Sequence, residues 1–323
     1  EKILAIRFQA LGDVMITLPY LQNVRRQYPD VTIHFLTRKE VSAIPKSIGL
    51  FDKVFEIGGG RNLKLQLILL LLKCPLLVFH RYDAVLDLQN NVLSILVRRL
   101  LRSRAWTEFD KHSPMSAAER TRQTIQSLWS WRIVAEKLQA QPSVRAEILL
   151  RDHGYREGNS LVVLNPAGYC ESRNWPIQSY IELALAWLRQ VNSNTQFVLL
   201  LTEHHRAKSD VIKEALGSSC VDLTGRANQI EAFTILGKCD FVLTEDSGLM
   251  HMAWIQNVPT LALFSSSRKD WSAPQGERSL CMDSSDMECG PCLLDVCKFN
   301  DNRCLTRYSS GVIIRHAKEL IKI

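Results

Sequence analysis

The 323-residue sequence lacks the features that mark several protein classes. No stretch of about 18 residues is both apolar and uncharged, so we expect no transmembrane helix. The longest apolar run, Leu65 to Phe79, is interrupted by Lys73 and Pro75. The first residues resemble a strand rather than a signal peptide. Without a three-glycine fingerprint after the first strand, a nicotinamide enzyme is disfavoured. Without a helix-turn-helix or RNA-motif signature, nucleic-acid binding is disfavoured too.

What is present is typical of a globular protein. Hydrophobic residues make up 46% of the chain and charged residues 23%, and the length suits two domains. The net charge of +7 is uneven, because residues 1–150 carry 22 Lys and Arg against 13 Asp and Glu. A basic half suits an anionic partner, such as a phosphorylated lipid headgroup, a membrane surface or nucleic acid, or is a solvated face without a special partner.

Short β-rich runs alternate with amphipathic stretches in both halves of the chain. This rhythm predicts an α/β protein with two doubly wound, Rossmann-like domains that face each other across a ligand-binding cleft. We predict a first domain over residues 1–150, a second over 151–308 and a final helical segment over 309–323. A long helix is expected over 117–138, before a linker rich in helix breakers.

Polar residues follow the predicted strands at positions suited to chemistry. Asp13, after the first strand, is either a helix cap or a carboxylate available as a general base. Arg173, in the first loop of the second half, is either a surface arginine or a pyrophosphate ligand. Glu203 stands where ribose hydroxyls are commonly held, and Thr224 follows the next strand with backbone groups that can contact a nucleotide.

The segment from Thr244 to His251 predicts a strand, a sharp turn and a helix start. Unpaired N–H groups at such a turn can hold a phosphate, although an ordinary helix cap has the same pattern. His251 in the first turn is either a phosphate contact or a packed histidine. The candidate donor-site residues here are Asp246, Ser247, Gly248, Leu249 and His251.

Three motifs in this order resemble glycosyltransferase family 9, the lipopolysaccharide heptosyltransferases. They are Gly12-Asp13-Val14, the stretch from Asn165-Pro166-Ala167 to Trp175-Pro176, and Asp246-Ser247-Gly248-Leu249-Met250-His251. The resemblance covers nearly the whole chain. It departs from the family at Arg173, where lysine is usual, and at Ser265-Ser266-Ser267, where Gly-Pro-Thr is common.

The resemblance implies a GT-B fold and an inverting transfer of heptose from ADP-heptose to a lipid-linked acceptor sugar of the lipopolysaccharide core. Asp13 would be the general base, and Arg173 with Ser247 and Gly248 would stabilise the departing ADP. Glu203 would contact the ribose, and Asp246 would position the loop or the sugar. The first domain would bind acceptor, the second would bind donor, and the final helix would pack back on the first domain.

The resemblance also implies partners and a location. The enzyme would work on the cytoplasmic face of the inner membrane as a peripheral protein, bind no nucleic acid and need no cofactor for catalysis. Arg61 and Lys64 are candidate acceptor ligands. The run Leu65 to Phe79 is either a membrane-contacting element or a buried helix. Rival hypotheses are a UDP- or GDP-hexose donor on the same fold, a non-catalytic nucleotide-sugar-binding protein and a nucleic-acid-binding protein.

Four of the nine cysteines cluster near the carboxyl end of the chain, at Cys289, Cys292, Cys297 and Cys304. In a reducing compartment this cluster suggests a structural, tetrahedral zinc site. Two disulfides or free thiols remain the alternatives, because the spacing is not that of a standard zinc finger.

Overall fold

The computed structural model describes residues 1–322, and the chain divides into two compact units, the first ending at Gln139 and the second beginning at Ala140. The first unit is a parallel sheet of five strands in the order β3-β2-β1-β4-β5. Its strands are β1 Lys2–Ile6, β2 Thr32–Arg38, β3 Lys53–Ile57, β4 Ala84–Asp87 and β5 Ala105–Glu108. Its helices are α1 Leu11–Gln27, α2 Ala43–Ser47, α3 Leu63–Phe79, α4 Val92–Leu101 and α5 Ala117–Gln126.

The second unit is a parallel sheet of six strands in the order β11-β10-β9-β6-β7-β8. Its strands are β6 Ser160–Asn165, β7 Thr195–Leu199, β8 Cys220–Asp222, β9 Phe241–Glu245, β10 Thr260–Leu263 and β11 Ser279–Met282. Its helices are α6 Val144–Asp152, α7 Ile177–Gln190, α8 Arg206–Leu216, α9 Gln229–Leu236, α10 Gly248–Trp254, α11 Lys269–Ser272, α12 Arg303–Thr306 and α13 Ser310–Ile321.

Both sheets have the doubly wound strand order, in which the first strand lies at the centre and the chain winds outward on either side. The central strands β1 and β6 are almost continuously apolar because helices cover both faces of a parallel sheet. The predicted α/β class, with two doubly wound domains in tandem, is confirmed. Among residues 1–322, no helix has both the length and the apolarity to cross a bilayer.

The boundary between the units differs from the predicted one. Helix α6 packs on α9 and buries Ala146 and Leu150, so the residues from Ala140 to Leu150 belong to the second unit. The predicted long helix over 117–138 ends at Gln126. Ile133 and Leu138 are nevertheless buried, in a segment without regular secondary structure. Apolar spacing alone did not distinguish this irregular segment from a helix.

The final helix, α13, belongs to the second unit. The apolar stripe of α13, formed by Ile313, Ile314 and Ala317, is part of the hydrophobic core of the second unit. It packs on α7 and approaches β10. These contacts use the buried face of α13 within the second unit. Packing of residues 309–323 on the first domain stays a prediction, and residue 323 lies outside the described residues.

Candidate functional site

Asp13 lies just beyond the carboxyl end of β1, in the first turn of α1. Its Oδ2 accepts a hydrogen bond from the backbone N–H of Ala10 at 2.9 Å, and its Oδ1 lies 2.9 Å from Nη2 of Arg7. Asp13 is therefore not the N-cap residue, which is Ala10, but the N3 residue whose carboxylate binds the N-cap backbone N–H, and the same carboxylate forms an ion pair. About a third of the side chain (34%) stays exposed, and each oxygen keeps a lone pair for a further partner.

Arg7 holds Asp13 from inside the protein. Its guanidinium is buried, donates to the carbonyl of Leu88 and lies 4.8 Å from the ring centroid of Phe109. Burial lowers the pKa of Arg7 below its ordinary value, and the charge of Asp13 opposes that shift. Asp13 is thus fixed by an arginine that cannot swing into solvent. Arg7 was not among the residues predicted from the sequence, where its only signal was a charge directly after the buried strand β1.

A pocket opens at this edge of the first sheet, next to the loop that carries Asp13. It is lined by residues from the ends of β1 and β2 and the starts of α3 and α4, among them Ala10, Leu11, Arg38, Arg61 and Asn91. The structure therefore brings Arg61 beside the Asp13 loop. Lys64 is exposed in the first turn of α3 and is not part of the pocket lining.

Arg173 and Asp246 meet at the carboxyl edge of the second sheet. Arg173 ends a short 3₁₀ turn in the loop after β6, and Asp246 follows β9; Nη1 of Arg173 lies 3.4 Å from Oδ2 of Asp246. The Nε of Arg173 is buried without a hydrogen-bond partner among residues 1–322. The guanidinium keeps donor capacity after pairing with Asp246, which suits a diphosphate ligand.

A buried carboxylate, Glu245, closes the loop that carries Arg173. It accepts hydrogen bonds from the backbone N–H groups of Gly168 (2.5 Å) and Trp175 (2.7 Å) and from the hydroxyl of Tyr180 (3.2 Å). Burial raises the pKa of Glu245 to about 7, and these hydrogen bonds act in the opposite direction. Both ends of the loop are therefore tied to one side chain.

Lys208 holds the same loop from α8. Its ammonium group donates to the carbonyl of Pro166 at 3.0 Å and to Oδ1 of Asn174 at 2.5 Å. Burial lowers the pKa of Lys208, while the charge of Glu245 raises it. Neither Glu245 nor Lys208 was a sequence-predicted site residue. A glutamate inside the buried strand β9 was the available signal, because an unpaired buried charge is costly.

The turn at Ser247 is built by side chains from two strands. The amide of Asn165 donates to Oγ1 of Thr244 and to Oγ of Ser247, both at 2.8 Å. Ser247 accepts from the N–H of Met250 at 3.4 Å and caps α10. Gly248 and Leu249 form the first turn of this seven-residue helix, where backbone N–H groups lack an intrahelical acceptor.

His251 is packed inside the second unit. It is 5% exposed, and its Nδ1 accepts a hydrogen bond from the indole N–H of Trp254 at 3.0 Å. This geometry agrees with the packed-histidine interpretation. A phosphate contact by His251 stays a prediction.

Glu203 and Thr224 lie at neighbouring strand ends but differ in accessibility. Glu203 is exposed, and its Oε2 lies 2.8 Å from Nη2 of Arg206. It folds over Gly225, whose φ of +69° favours glycine and where an added Cβ would lie 2.1 Å from Oε2 of Glu203. The side chain of Thr224 is buried, and its carbonyl accepts from Arg206. Of the two, Glu203 has a carboxylate available to a ligand.

The four clustered cysteines line one pocket, together with serines beneath the Arg173 loop. All nine cysteines are free thiols, so the disulfide alternative is not what the structure has. Within the described residues, no three His, Cys, Asp or Glu side chains have the placement of a metal site. As the thiols lie, Cys289, Cys292, Cys297 and Cys304 do not fit a tetrahedral zinc ion.

The serines that replace the usual Gly-Pro-Thr are structural. Ser265 donates to the carbonyl of Ser172 at 2.6 Å, and the hydroxyls of Ser266 and Ser172 lie 2.9 Å apart. Ser265, Ser266 and Ser267 are all buried. They support the loop that carries Arg173 rather than presenting hydroxyls at the protein surface.

Solved structures place both units in a known class. A glycosyltransferase family 9 protein from Veillonella parvula superposes with a TM-score of 0.82 at 17% identity, covering 100% of this chain and 97% of that one. An E. coli ADP-heptose lipopolysaccharide heptosyltransferase II gives 0.74 at 18% identity, with 100% and 99% covered. The chain therefore has the GT-B fold.

Sequence comparison specifies the family. The model of glycosyltransferase family 9 (heptosyltransferase) matches residues 77–302. A lipooligosaccharide heptosyltransferase 2 of Haemophilus influenzae is 22% identical, with 86% of this chain and 87% of that protein covered. One from Campylobacter jejuni is 23% identical, with 52% of this chain covered but only 53% of that protein. The chain belongs to glycosyltransferase family 9.

Proposed function

We propose that this enzyme transfers heptose from ADP-heptose to a sugar of a lipid-linked lipopolysaccharide-core acceptor, with inversion at the anomeric carbon. The observation that carries the proposal is Asp13, a partly exposed carboxylate that the buried Arg7 fixes beside an open pocket. The likeness to a lipooligosaccharide heptosyltransferase 2 and to the E. coli ADP-heptose lipopolysaccharide heptosyltransferase II supports the donor and acceptor class.

Asp13 would take the proton from the attacking acceptor hydroxyl. The acceptor oxygen forms a bond to the anomeric carbon while the bond from that carbon to the β-phosphate oxygen breaks. The electron pair leaves on ADP, and attack from the opposite face inverts the configuration. General-base help of this kind contributes typically about 10²–10⁴-fold in rate.

Arg173 would stabilise the charge that develops on departing ADP. Its guanidinium is oriented by Asp246, and its loop is held by Glu245 and Lys208. A preformed positive group at a developing anion is often the largest catalytic term. Because Arg173 supplies this charge, we propose that catalysis needs no metal ion, and turnover should survive EDTA.

The neighbouring groups would complete the donor site. Glu203 would accept hydrogen bonds from ribose hydroxyls, while the turn at Ser247, Gly248 and Leu249 would bind phosphate through backbone N–H groups. Arg61, in the pocket beside Asp13, would contact anionic groups of the acceptor, with Lys64 at its periphery.

The test is a donor panel. The purified protein is incubated with ADP-heptose, a UDP-hexose and a GDP-hexose, with and without a heptose-deficient core acceptor. We expect nucleoside diphosphate release and product only from ADP-heptose. Faster turnover of a UDP- or GDP-sugar would replace the proposed donor with the rival one.

The proposed acceptor implies where in the cell the enzyme acts. We propose that the protein acts as a peripheral protein on the cytoplasmic face of the inner membrane, where a lipid-linked core acceptor would be presented. The surplus of positive charge in residues 1–150 supports this location, because anionic lipid attracts basic surfaces.

A further inference from the structure

Helix α3 is apolar on nearly all sides, yet only one side of it is buried. Gln66, Leu70, Cys74 and Leu77 form its buried stripe against the first unit. A helix that is hydrophobic all round normally has every side covered by protein or lipid. We therefore expect the exposed side of α3 to be covered by protein or lipid.

The exposed side is a continuous apolar stripe. At about 100° per residue, five large side chains spaced three and four apart fall on the side opposite the buried stripe. Leu72 is 74% exposed and Phe79 81%. The members of this stripe, which we call the α3 outer stripe, are Leu65, Ile68, Leu72, Leu76 and Phe79.

The charged residues on α3 and in the segments that adjoin it are all basic. From Ile57 to Tyr82 the chain has no Asp or Glu but four basic residues, Arg61, Lys64, Lys73 and Arg81. On the helix, Lys64 and Lys73 lie on opposite sides of the outer stripe, where their alkyl chains can lie along apolar surface with the ammonium groups in water. This arrangement complements an anionic lipid surface.

We propose that α3 is the membrane-docking element of this protein, lying in the plane of an anionic bilayer with the outer stripe among the acyl chains. Among the described residues no helix, α3 included, is long and apolar enough to cross a bilayer, and one face of α3 is already used by the first unit. The proposal rests on the proposed function, because a lipid-linked acceptor would be presented at such a surface. It resolves the choice that the sequence left open for Leu65 to Phe79.

The test uses vesicles without any acceptor glycolipid, so its result is independent of the donor and acceptor. Binding of the full chain is measured by co-sedimentation with phosphatidylethanolamine–phosphatidylglycerol (3:1) vesicles and with pure phosphatidylcholine vesicles. We expect binding to the anionic vesicles, at least about tenfold weaker binding to the neutral ones, and a decrease with added salt.

Three variants identify the surface. Leu72→Glu and Phe79→Glu each place a charge in the outer stripe and should lower the partition coefficient about tenfold or more. Val211→Glu is the matched control, because Val211 is an exposed apolar residue on α8 of the second unit, and its partition should stay within about twofold of wild type. Exposed positions make the variants compatible with folding, which circular dichroism checks.

The proposal is overturned if the wild type does not bind anionic vesicles, if neutral vesicles bind equally well, or if the α3 variants bind like the wild type. It is equally overturned if light scattering shows a dimer that Leu72→Glu dissociates, because a second copy would then cover the stripe. Failure of the donor panel with intact vesicle binding would affect only the proposed reaction.

Discussion

The two units each hold an acidic side chain at the carboxyl edge of their sheet, but in opposite ways. Asp13 is partly exposed and is fixed by the buried Arg7. Glu245 is wholly buried and accepts hydrogen bonds from backbone N–H groups at both ends of the loop that carries Arg173. The carboxylate of Asp13 keeps a lone pair that a ligand can reach. The hydrogen bonds of the Glu245 carboxylate are instead used to hold the loop that carries Arg173. An acidic side chain at a similar strand end is thus open to a ligand in one unit, where we propose that it acts as the base, and holds a loop in the other.

The largest effect should come from removing the exposed carboxylate. In Asp13→Asn the amide keeps the size and one acceptor oxygen but cannot take a proton, so kcat should fall about 10²–10⁴-fold. The dissociation constant for ADP, measured by calorimetry, should stay near the wild-type value. Asp30→Asn, at an exposed loop position, is the control. Normal turnover in Asp13→Asn would remove the base assignment.

The second prediction concerns the positive charge of Arg173 in the loop after β6. Arg173→Ala should lower kcat/KM about 10²–10³-fold because the leaving diphosphate loses a cationic partner. Arg173→Lys, which restores the charge common in the family, should recover most of the loss. The exposed Arg189 of α7 provides the control variant Arg189→Ala. If Arg173→Ala binds ADP and turns over normally, the arginine is only a surface group.

Replacing Glu245 should change the pH dependence of the free energy of unfolding rather than the chemical step. The pKa of Glu245 in the folded protein, about 7, lies above that of an unfolded glutamate. Its contribution to the free energy of unfolding is therefore complete below about pH 4.5 and is lost as the pH rises through about 7. Across that window the wild type should lose up to about 3 kcal/mol of unfolding free energy that Glu245→Gln does not lose.

The measurement is urea unfolding at pH 5 and pH 8, followed through the fluorescence of Trp175 and the other tryptophans. Glu182→Gln, on the exposed face of α7, serves as the comparison. If wild type and Glu245→Gln have the same pH dependence, burial does not raise the pKa of Glu245 and the contrast with Asp13 weakens.

The smallest effect is expected at Gly225. Gly225→Ala places a Cβ at positive φ and against the carboxylate of Glu203, which should cost about 1 kcal/mol of stability. Displacement of Glu203 should also raise the KM for the donor a few-fold with little change in kcat. An unchanged KM, despite the loss of stability, would separate Glu203 from ribose binding.

Much of this site was predictable because it follows strand order. Asp13, Arg173 and Asp246 all lie in segments that follow buried strands, and the carboxyl ends of parallel strands share one edge of a sheet. Arg7 and Lys208 were missed because their roles depend on burial and on partners brought close by the fold, such as Leu88 for Arg7 and Pro166 and Asn174 for Lys208. The α3 outer stripe was ambiguous for a similar reason, since an apolar run is the same in sequence whether protein or solvent covers it.

The local alternation of apolar strands and amphipathic helices determined the fold class and the order of the chemical groups along the chain, because these depend on periodicity and short-range turns. The tertiary structure decided which carboxylate stays open and which is enclosed, that α13 completes the second core, and that one face of α3 is bare. Those properties depend on burial, which is set by how distant segments pack and is absent from any local pattern.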